Sequence, residues 1–462
     1  MIHAPGKLVL PEIRELIELG DHATVGEVLN RWLPADLAAL VAELDNDERV
    51  HVFRTLTTDL AAETFEYLDL PTQLRLLRAL SEDEASHLLN RMAPDDRTAL
   101  LQELPGAAAD RLVALLSPHE QDVARSLLSY GRDSIGRLMT PDFVAVRKDW
   151  TIKHVLDYVR THGKNSETLN VLYVVDDAHK LVDDVRIRNV LLAPLHAYVQ
   201  DIMDNQFVAL TVSDSREEAV AAFRKYDRTA LPVVDARGVL VGIVTVDDVM
   251  DVAMEEATRD LQQFGGLEAL DESYVATSFW SLVRKRASWL VILFVGELFT
   301  ATAMGHFEKE IARAVVLALF VPLIISSGGN SGSQAATLII RALALGEVTL
   351  RDWWKVLRRE LASGLMLGAI LGTIGFLRIA IWSAFSNLYG VHWPLVGLTV
   401  ALSLVGIVTW GTLSGAMLPF LLKRLHFDPA TSSAPFVATL VDVTGLIIYF
   451  TIAVLVLKGT LL

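Results

Sequence analysis

The sequence predicts a multidomain protein with an all-α, solenoid-like N-terminal domain, an α/β tandem domain pair and an α-helical transmembrane domain with five spans. Three observations support this prediction: an apolar pattern that repeats every twelve residues, two successive copies of one β-α-β pattern, and five long apolar stretches. The 462 residues are too many for one domain. We expect domains at residues 1–130, 131–246 and 284–462, with a connecting helix and linker at 247–283.

The N-terminal region repeats one short helix and one turn. From Leu33 to Leu128 an apolar residue closes a unit every twelve positions, and units open with capping residues such as Thr57 and Ser81. Twelve residues accommodate one helix and its turn, so we interpret the region as an α-solenoid, with an ordinary helical bundle as the alternative. Either fold would serve docking or regulation, because no catalytic set of residues stands out in it.

Two copies of a β-α-β pattern follow, and the strand predicted at Val171–Val175 recurs at Ala230–Val234. The run Leu-Pro-Val-Val-Asp, followed from residue 238 by Gly-Val-Leu-Val-Gly-Ile-Val-Thr-Val-Asp-Asp-Val, resembles the CBS-domain family. That resemblance implies a ligand-sensing pair of the kind that commonly binds adenine nucleotides. The positions that hold ribose and phosphate in such sites fall on Thr245 and Asp248, so ATP is the expected nucleotide. A purely structural pair is the alternative.

An acidic helix is predicted directly after the second copy. Asp247, Asp251 and Glu255 would lie on one helical face, with Asp248 and Glu256 beside it. Like charges at this spacing destabilise a helix, and carboxylate oxygens are the ligands that hard divalent cations prefer. We therefore predict that these five acids bind a regulatory metal ion, with a solvated acidic face as the alternative.

Charge divides the chain into two unlike parts. Residues 1–280 carry a net charge of −21 and residues 281–462 one of +6, within a total of −15. The acidic part would repel nucleic acid and attract cations. The absence of cysteine excludes disulfides, thiolate zinc sites and cysteine nucleophiles. No catalytic triad, phosphate loop or paired carboxylates stand out, so we do not expect an enzyme.

Five apolar stretches reach the roughly 20 residues that a membrane-spanning helix needs. They lie at residues 287–304, 311–340, 361–384, 395–422 and 435–457. Lysine and arginine concentrate in alternate loops, which by the positive-inside rule places the N-terminal half in the cytoplasm and the C-terminus outside. The N-terminus does not read as a signal peptide. We therefore expect a multi-pass protein of the cell membrane.

Two of these spans contain polar residues that lipid does not favour. Pro322, Asn330, Gln334 and several glycines interrupt span two, and we expect them to break the helix and free backbone carbonyls beside a water-filled path. Asp442 in span five is a central carboxylate, which costs about 2.5–3.5 kcal/mol on insertion scales and indicates a functional site. Glu297 in span one is a second intramembrane acid, with hydrogen bonding inside the bundle as its simpler role.

Span two also carries a family signature. Pro322, then Gly-Gly-Asn-x-Gly-x-Gln from residue 328 and Gly-Glu at 346–347, resembles the signature of the MgtE magnesium channels, and the order of the domains matches. The resemblance implies a homodimer in the lipid bilayer with a pore on its twofold axis, a plug-like connecting helix, and Mg²⁺ as both substrate and regulator. Cytosolic Mg²⁺ would close the channel by binding acidic cytoplasmic surfaces.

By position in that family, Asp442 would be the pore carboxylate. Gly328, Gly329, Asn330 and the carbonyl of Ala438 would lie beside it. Two other functions remain open from the residues themselves. One is an ion-coupled secondary transporter of divalent cations such as Co²⁺ or Mn²⁺, with Glu297 and Asp442 as a relay. The other is a membrane-bound sensor whose α/β pair reports nucleotide to a partner.

Overall fold

The computed structural model describes residues 5–270, 274, 277–386 and 389–461. The chain divides into two compact units, Met1–Met254 and Glu255–Leu462. Five residues of the predicted linker, 271–273 and 275–276, lie outside the described part of the chain.

The first unit begins with a stack of short helices, as predicted. They are α1 Pro5–Glu18, α2 His22–Leu29, α3 Pro34–Glu43, α4 Asn46–Thr55, α5 Thr58–Glu66, α6 Leu70–Ala79, α7 Glu82–Leu89, α8 Pro94–Gln102, α9 Gly106–Ala114 and α10 Pro118–Leu128. Helices α3 to α10 begin every twelve residues. Asp45 and Ser81 each form a capping box at a helix start, whereas the Thr57 side chain makes no capping bond. The solenoid-like arrangement is confirmed.

The structural repeat of this stack is twice as long as the sequence period. Helices pack on their second neighbours, as in α2 with α4, α3 with α5 and α5 with α7. Arg49, Gln73 and Arg97, spaced 24 residues apart, each donate a side-chain hydrogen bond to the carbonyl oxygen eight residues earlier, at 2.8, 2.9 and 3.1 Å. The unit is therefore a pair of helices, since the same buried bond recurs only in every second helix.

The tandem α/β pair follows a short helix, α11 Ile135–Leu138. Its elements are β1 Ala145–Arg147, α12 Ile152–His162, β2 Val171–Val175, β3 Leu181–Arg186, α13 Ile187–Leu192, β4 Leu210–Thr211, α14 Arg216–Tyr226, β5 Ala230–Val234 and β6 Leu240–Thr245. Each copy forms a three-stranded sheet in sequence order, with its first two strands parallel and its last two antiparallel. The first strand of each copy is short, with three residues in β1 and two in β4.

Strand β6 runs directly into helix α15, Val246–Phe264, which is continuous over the predicted connecting helix. The second unit contains α16 Phe279–His306, α17 Glu308–Arg313, α18 Val321–Ala344, α19 Trp353–Phe385, α20 Trp393–Arg424 and α21 Ala434–Leu457. Five segments within the described residues are long and apolar enough to cross a membrane, which confirms the predicted number of spans. The second of these segments, Val315–Ala344, begins four residues later than predicted. It consists of a 3₁₀ turn at Val315–Phe320 followed by α18, and α17 is a separate short helix before it.

The predicted break in span two is wrong, because α18 is one continuous helix. Pro322 lies in its first turn, where a missing N–H costs no helical hydrogen bond. The glycines of this helix serve close packing instead of breaking it. A Cβ atom at Gly411 of α20 would lie 2.5 Å from the carbonyl oxygen of Gly328, and one at Gly415 would overlap the carbonyl oxygen of Gly332.

We call these four residues, Gly328, Gly332, Gly411 and Gly415, the glycine crossing. Each helix contributes a Gly-x-x-x-Gly pair, the spacing that lets two membrane helices approach backbone to backbone. A third helix uses the same device, since Gly364, Gly368 and Gly372 of α19 pack against the backbone of α20. Helix α20 is thereby the centre of the membrane unit, and α18 presents its other faces to α21 and to the outside.

Candidate functional site

The intramembrane carboxylate of Asp442 lies on α21, half-buried against α18. A Cβ atom at Gly329 would lie 3.5 Å from Asp442 Oδ1 and 3.4 Å from Ala438 Cβ. The glycine therefore allows the α18 backbone to approach the carboxylate directly. Three of the predicted pore residues, Gly329, Ala438 and Asp442, meet at one place between two membrane helices.

An exposed polar stripe runs along α18 beside this contact. It consists of Ser326, Asn330, Gln334 and Thr337. Within it, Asn330 Nδ2 donates to Ser326 Oγ at 3.3 Å. Lipid cannot satisfy amide groups at membrane depth, so this stripe must face water or another protein surface.

The remaining pore prediction, Gly328, has a different environment. It is buried, and a Cβ atom there would lie 2.5 Å from Ile407 Cγ2 and 2.8 Å from Val441 Cγ1. Because its side towards α20 and α21 is filled, the structure gives Gly328 a packing role rather than a place on an open path.

In the first unit, the predicted regulatory acids begin at the first turn of α15. Asp247 is exposed, and Asp248 is half-buried and accepts a hydrogen bond from Thr245 Oγ1 at 2.5 Å. Asp251 is exposed one turn further along, and its charge acts on Asp248. Glu255 and Glu256 continue the same helix.

Acids from the N-terminal stack lie near enough to Asp248 to interact with it electrostatically, and the sequence analysis did not identify them. Asp95 of α8 is buried, 7% exposed, and its Oδ1 atom has no hydrogen-bond partner among the described residues. Asp96 follows it, and Glu66 at the end of α5 accepts the backbone N–H of Ala93 at 2.9 Å. The charges of Asp248 and Glu167 act on both aspartates. We call Glu66, Asp95, Asp96, Glu167, Asp247 and Asp248 the acidic junction.

Burial is the main cause of unusual acidities in the acidic junction, and the neighbouring negative charges add to it. It raises the pKa of Asp96 to about 8, that of Glu66 to about 7 and that of Asp248 to about 6. The pKa of Asp95 lies well above its usual range for the same reason. The raised pKa values indicate that no positive charge of the described residues compensates these carboxylates at neutral pH.

The donor set of the acidic junction fits a hydrated metal ion better than a directly ligated one. Within the part of the chain that the structure describes, no three acidic or histidine side chains converge closely enough to ligate one ion together. Mg²⁺ is a hard cation that dehydrates reluctantly and is commonly held through its waters. Carboxylates that do not ligate the ion directly can accept hydrogen bonds from such waters.

The predicted nucleotide residues belong to the same turn. Thr245 ends β6 and is nearly buried, and its hydroxyl is bonded to Asp248 at the start of α15. The corresponding positions of the first copy are Arg186 and Asn189, at the end of β3 and in α13. Only the second copy therefore has the hydroxyl and carboxylate pair, and its carboxylate, Asp248, also belongs to the acidic junction.

Five membrane-spanning segments with a carboxylate between two of them, preceded by a helical-repeat domain and a tandem α/β pair, define a membrane transport protein with a large soluble part. The family described as "MgtE: Divalent cation transporter" matches residues 321–452, "MgtE intracellular N domain" matches 32–133, and "CBS domain" matches 135–196 and 199–255. The chain belongs to the MgtE family.

Similar proteins cover nearly the whole chain. The magnesium transporter MgtE of Thermus thermophilus is 38% identical over 97% of this chain and 98% of its own length. That of Bacillus subtilis is 30% identical over 92% of each. The crystal structure of the cytosolic domain of the Mg²⁺ channel MgtE in complex with ATP has a TM-score of 0.51 and 35% identity, covering 53% of this chain and 99% of that one. The soluble part of a magnesium transporter has a TM-score of 0.52 and 25% identity, covering 55% and 99%.

Proposed function

We propose that this protein is a Mg²⁺-selective channel or transporter that mediates Mg²⁺ uptake across the cell membrane. The observation that carries the proposal is the half-buried Asp442 carboxylate between α21 and Gly329, beside the exposed polar stripe of α18. The names of the relatives support the choice of ion. The experiment that tests it is Mg²⁺ flux into liposomes containing the purified protein, followed over a series of divalent cations.

The chemistry of the path suits an ion that keeps its water. One carboxylate, the amide of Asn330 and the carbonyl of Ala438 offer oxygen atoms that accept hydrogen bonds from the water shell of Mg²⁺. A full protein cage would instead require the ion to shed that shell. Permeation through a path of this kind is favoured because binding is electrostatic and reversible.

A homodimer is part of this proposal. In one chain the polar stripe and Asp442 are not covered by protein on their outer side. A second copy related by a twofold axis would remove both from lipid and would place two Asp442 carboxylates, with two negative charges, around one dication.

The proposed orientation places the soluble part in the cytoplasm and the C-terminus outside. Exposed Arg351 just before α19, and exposed Lys355, Arg358 and Arg359 in its first two turns, lie next to exposed Trp353 and Trp354. Cationic and aromatic side chains are both typical of the cytoplasmic interface. The match of residues 32–133 to an intracellular domain supports the same orientation.

Regulation by cytosolic Mg²⁺ is the next part of the proposal. The acidic junction brings buried carboxylates of the N-terminal stack against the end of the α/β pair, where they repel one another without a counter-ion. Bound Mg²⁺ would remove that repulsion and favour the compact, closed arrangement, because it binds that arrangement more tightly than the separated one. The acids further along α15, Asp251, Glu255 and Glu256, would add to the effect.

The compact arrangement of the first unit is expected to depend on pH when Mg²⁺ is absent. Because these carboxyl groups have raised pKa values in the compact arrangement, their protonation stabilises it, fully so below the ordinary aspartate pKa of 3.8. This stabilisation is lost as the pH rises through about 6 to about 8. Proteolysis near Gly131 should therefore be at least about tenfold faster at pH 8 than at pH 6, since each pH unit below the raised pKa of a group changes the equilibrium by up to a factor of ten. Millimolar Mg²⁺ should suppress the difference.

The check is limited proteolysis of the full chain, with the rate at each pH normalised to that of an unfolded peptide. The double variant Asp95→Asn, Asp96→Asn should be protected at pH 8 without Mg²⁺, while Asp110→Asn, an exposed carboxylate of α9, should behave as the wild type. Equal rates for both variants, with or without Mg²⁺, would show that the acidic junction does not sense the ion.

Nucleotide binding is a separate proposal. Thr245 and Asp248 offer a hydroxyl and a carboxylate to the ribose and phosphate of ATP, and the related cytosolic domain whose structure contains ATP supports it. Titration calorimetry with ATP should give binding that Thr245→Val weakens at least about tenfold, because a buried partner group is lost. Thr211→Val, at the end of β4, is the control. Unchanged affinity in the Thr245 variant would place the nucleotide elsewhere.

A further inference from the structure

Glu297 is an intramembrane carboxylate that the proposed path has not used. It lies on α16 next to Gly296, where a Cβ atom would be 2.9 Å from Thr439 Cγ2 of α21. Thr300 Oγ1 donates to Glu297 Oε1 at 3.3 Å. Glu297 and Thr439 line one end of an open groove of about 580 Å³ whose other walls are apolar residues of α16.

The groups described around Glu297 do not compensate the negative charge of its carboxylate. Its side chain is exposed on a helix that is long and apolar enough to span a membrane. The hydroxyl of Thr300 is neutral and donates one long bond, which does not compensate an ionised carboxylate in lipid. An intramembrane acid in this position requires water or a cation near it.

Asp442 indicates where that water or cation is. Thr439 precedes Asp442 by nearly one helical turn on α21, so the contact between Gly296 and Thr439 brings Glu297 to the depth of Asp442. The two carboxylates are near enough to interact electrostatically. An ion at that depth would therefore experience the charge of both acids.

We infer that Glu297 is a specificity-determining residue of the ion path, which supplies a second carboxylate at the depth of Asp442 and so favours divalent over monovalent cations. This inference rests on the proposed function. The physical reason is that a local potential acts on a dication with twice the energy that it exerts on a monocation. If the Glu297 charge concentrates a monovalent cation about threefold, it concentrates a dication about ninefold.

Neutralising Glu297 should therefore reduce selectivity without stopping permeation. In liposomes containing the full-length protein, Glu297→Gln should raise the Mg²⁺ concentration for half-maximal flux by about tenfold and K⁺ permeation should change by about threefold or less. Glu297→Asp, which keeps the charge, should recover most of the Mg²⁺ affinity. Thr302→Val on the same helix, whose hydroxyl bonds only to the α16 backbone, is the control.

Three outcomes would overturn the inference. One is wild-type Mg²⁺ affinity and selectivity in Glu297→Gln when size-exclusion chromatography shows an intact protein. Another is an equal loss in Glu297→Gln and Glu297→Asp, which would indicate a packing role. The third is loss of a proton flux coupled to Mg²⁺, which would make Glu297 a proton relay. Failure of the proposed function is distinguishable, because it would appear as absent Mg²⁺ flux in the wild type.

Discussion

Asp442→Ala is expected to abolish Mg²⁺ flux, with a loss of at least about a hundredfold, while the protein still folds. The carboxylate is the only acidic side chain of α21, and it faces α18 where that helix carries a glycine. Removing it leaves amide and carbonyl groups that cannot compensate the cost of bringing a dication to membrane depth. The measurement is Mg²⁺ entry into liposomes, with thermal stability in detergent as the test of folding.

Two further variants test whether the loss of flux is specific to Asp442. Asn330→Ala should reduce flux several-fold only, because a neutral amide contributes at most a water-mediated contact. Glu308→Gln, which changes an exposed acid of the short helix α17, should leave flux unchanged. Wild-type conductance in a well-folded Asp442→Ala protein would remove Asp442 from the path and with it the main support for the proposed function.

Gly415→Ala is expected to have the largest effect on the fold of the membrane unit. A Cβ atom there would overlap the carbonyl oxygen of Gly332, a backbone atom that cannot move aside without shifting the whole of α18. Overpacking typically lowers the free energy of unfolding by about 1–3 kcal/mol. Because this clash involves the backbone, we expect a loss of about 3 kcal/mol or more. The variant should lose several degrees of thermal stability and elute as a mixture of species.

The same helix provides the control for that variant. At Gly406 of α20 a Cβ atom would meet Ile448 Cγ2 at 3.3 Å, and that side chain can adjust. Gly406→Ala should therefore be neutral or slightly stabilising, since alanine is the better helix former by about 1 kcal/mol. If both variants have the same stability, α18 and α20 are not held together at the glycine crossing.

The sequence indicated the architecture because its signals are local. Asp45 and Ser81 mark helix starts through their own side chains, and a stretch such as 435–457 is apolar enough to be recognised alone. The 24-residue repeat was missed because its members, Arg49, Gln73 and Arg97, differ in chemistry and share only a hydrogen-bond target. The order of domains was predictable, while the doubling of the repeat depended on packing between helices.

The errors and omissions at the candidate sites have the same origin. The glycines of α18 predict a broken helix when the sequence of α18 is considered alone. Their role in close helix packing is recognised only when Gly411 and Gly415 of α20 are seen to lie opposite them. Asp95 follows a proline at a helix start, where an acid is ordinary, so nothing in its neighbourhood signals that it is buried near Asp248. Asp442 could be predicted as a pore residue because a carboxylate within an apolar helix is unusual in any context.

The glycine crossing has a consequence for how the membrane unit can move. Side chains between two helices can change rotamers and let the helices slide, but at the crossing the backbones touch and no such layer exists. We therefore expect helices α18 and α20 to move as one piece, together with α19, whose own glycines pack on the α20 backbone. We expect a change in the width of the proposed ion path to come from α16 and α21, because α21 packs on α18 and α20 through side chains that can adjust.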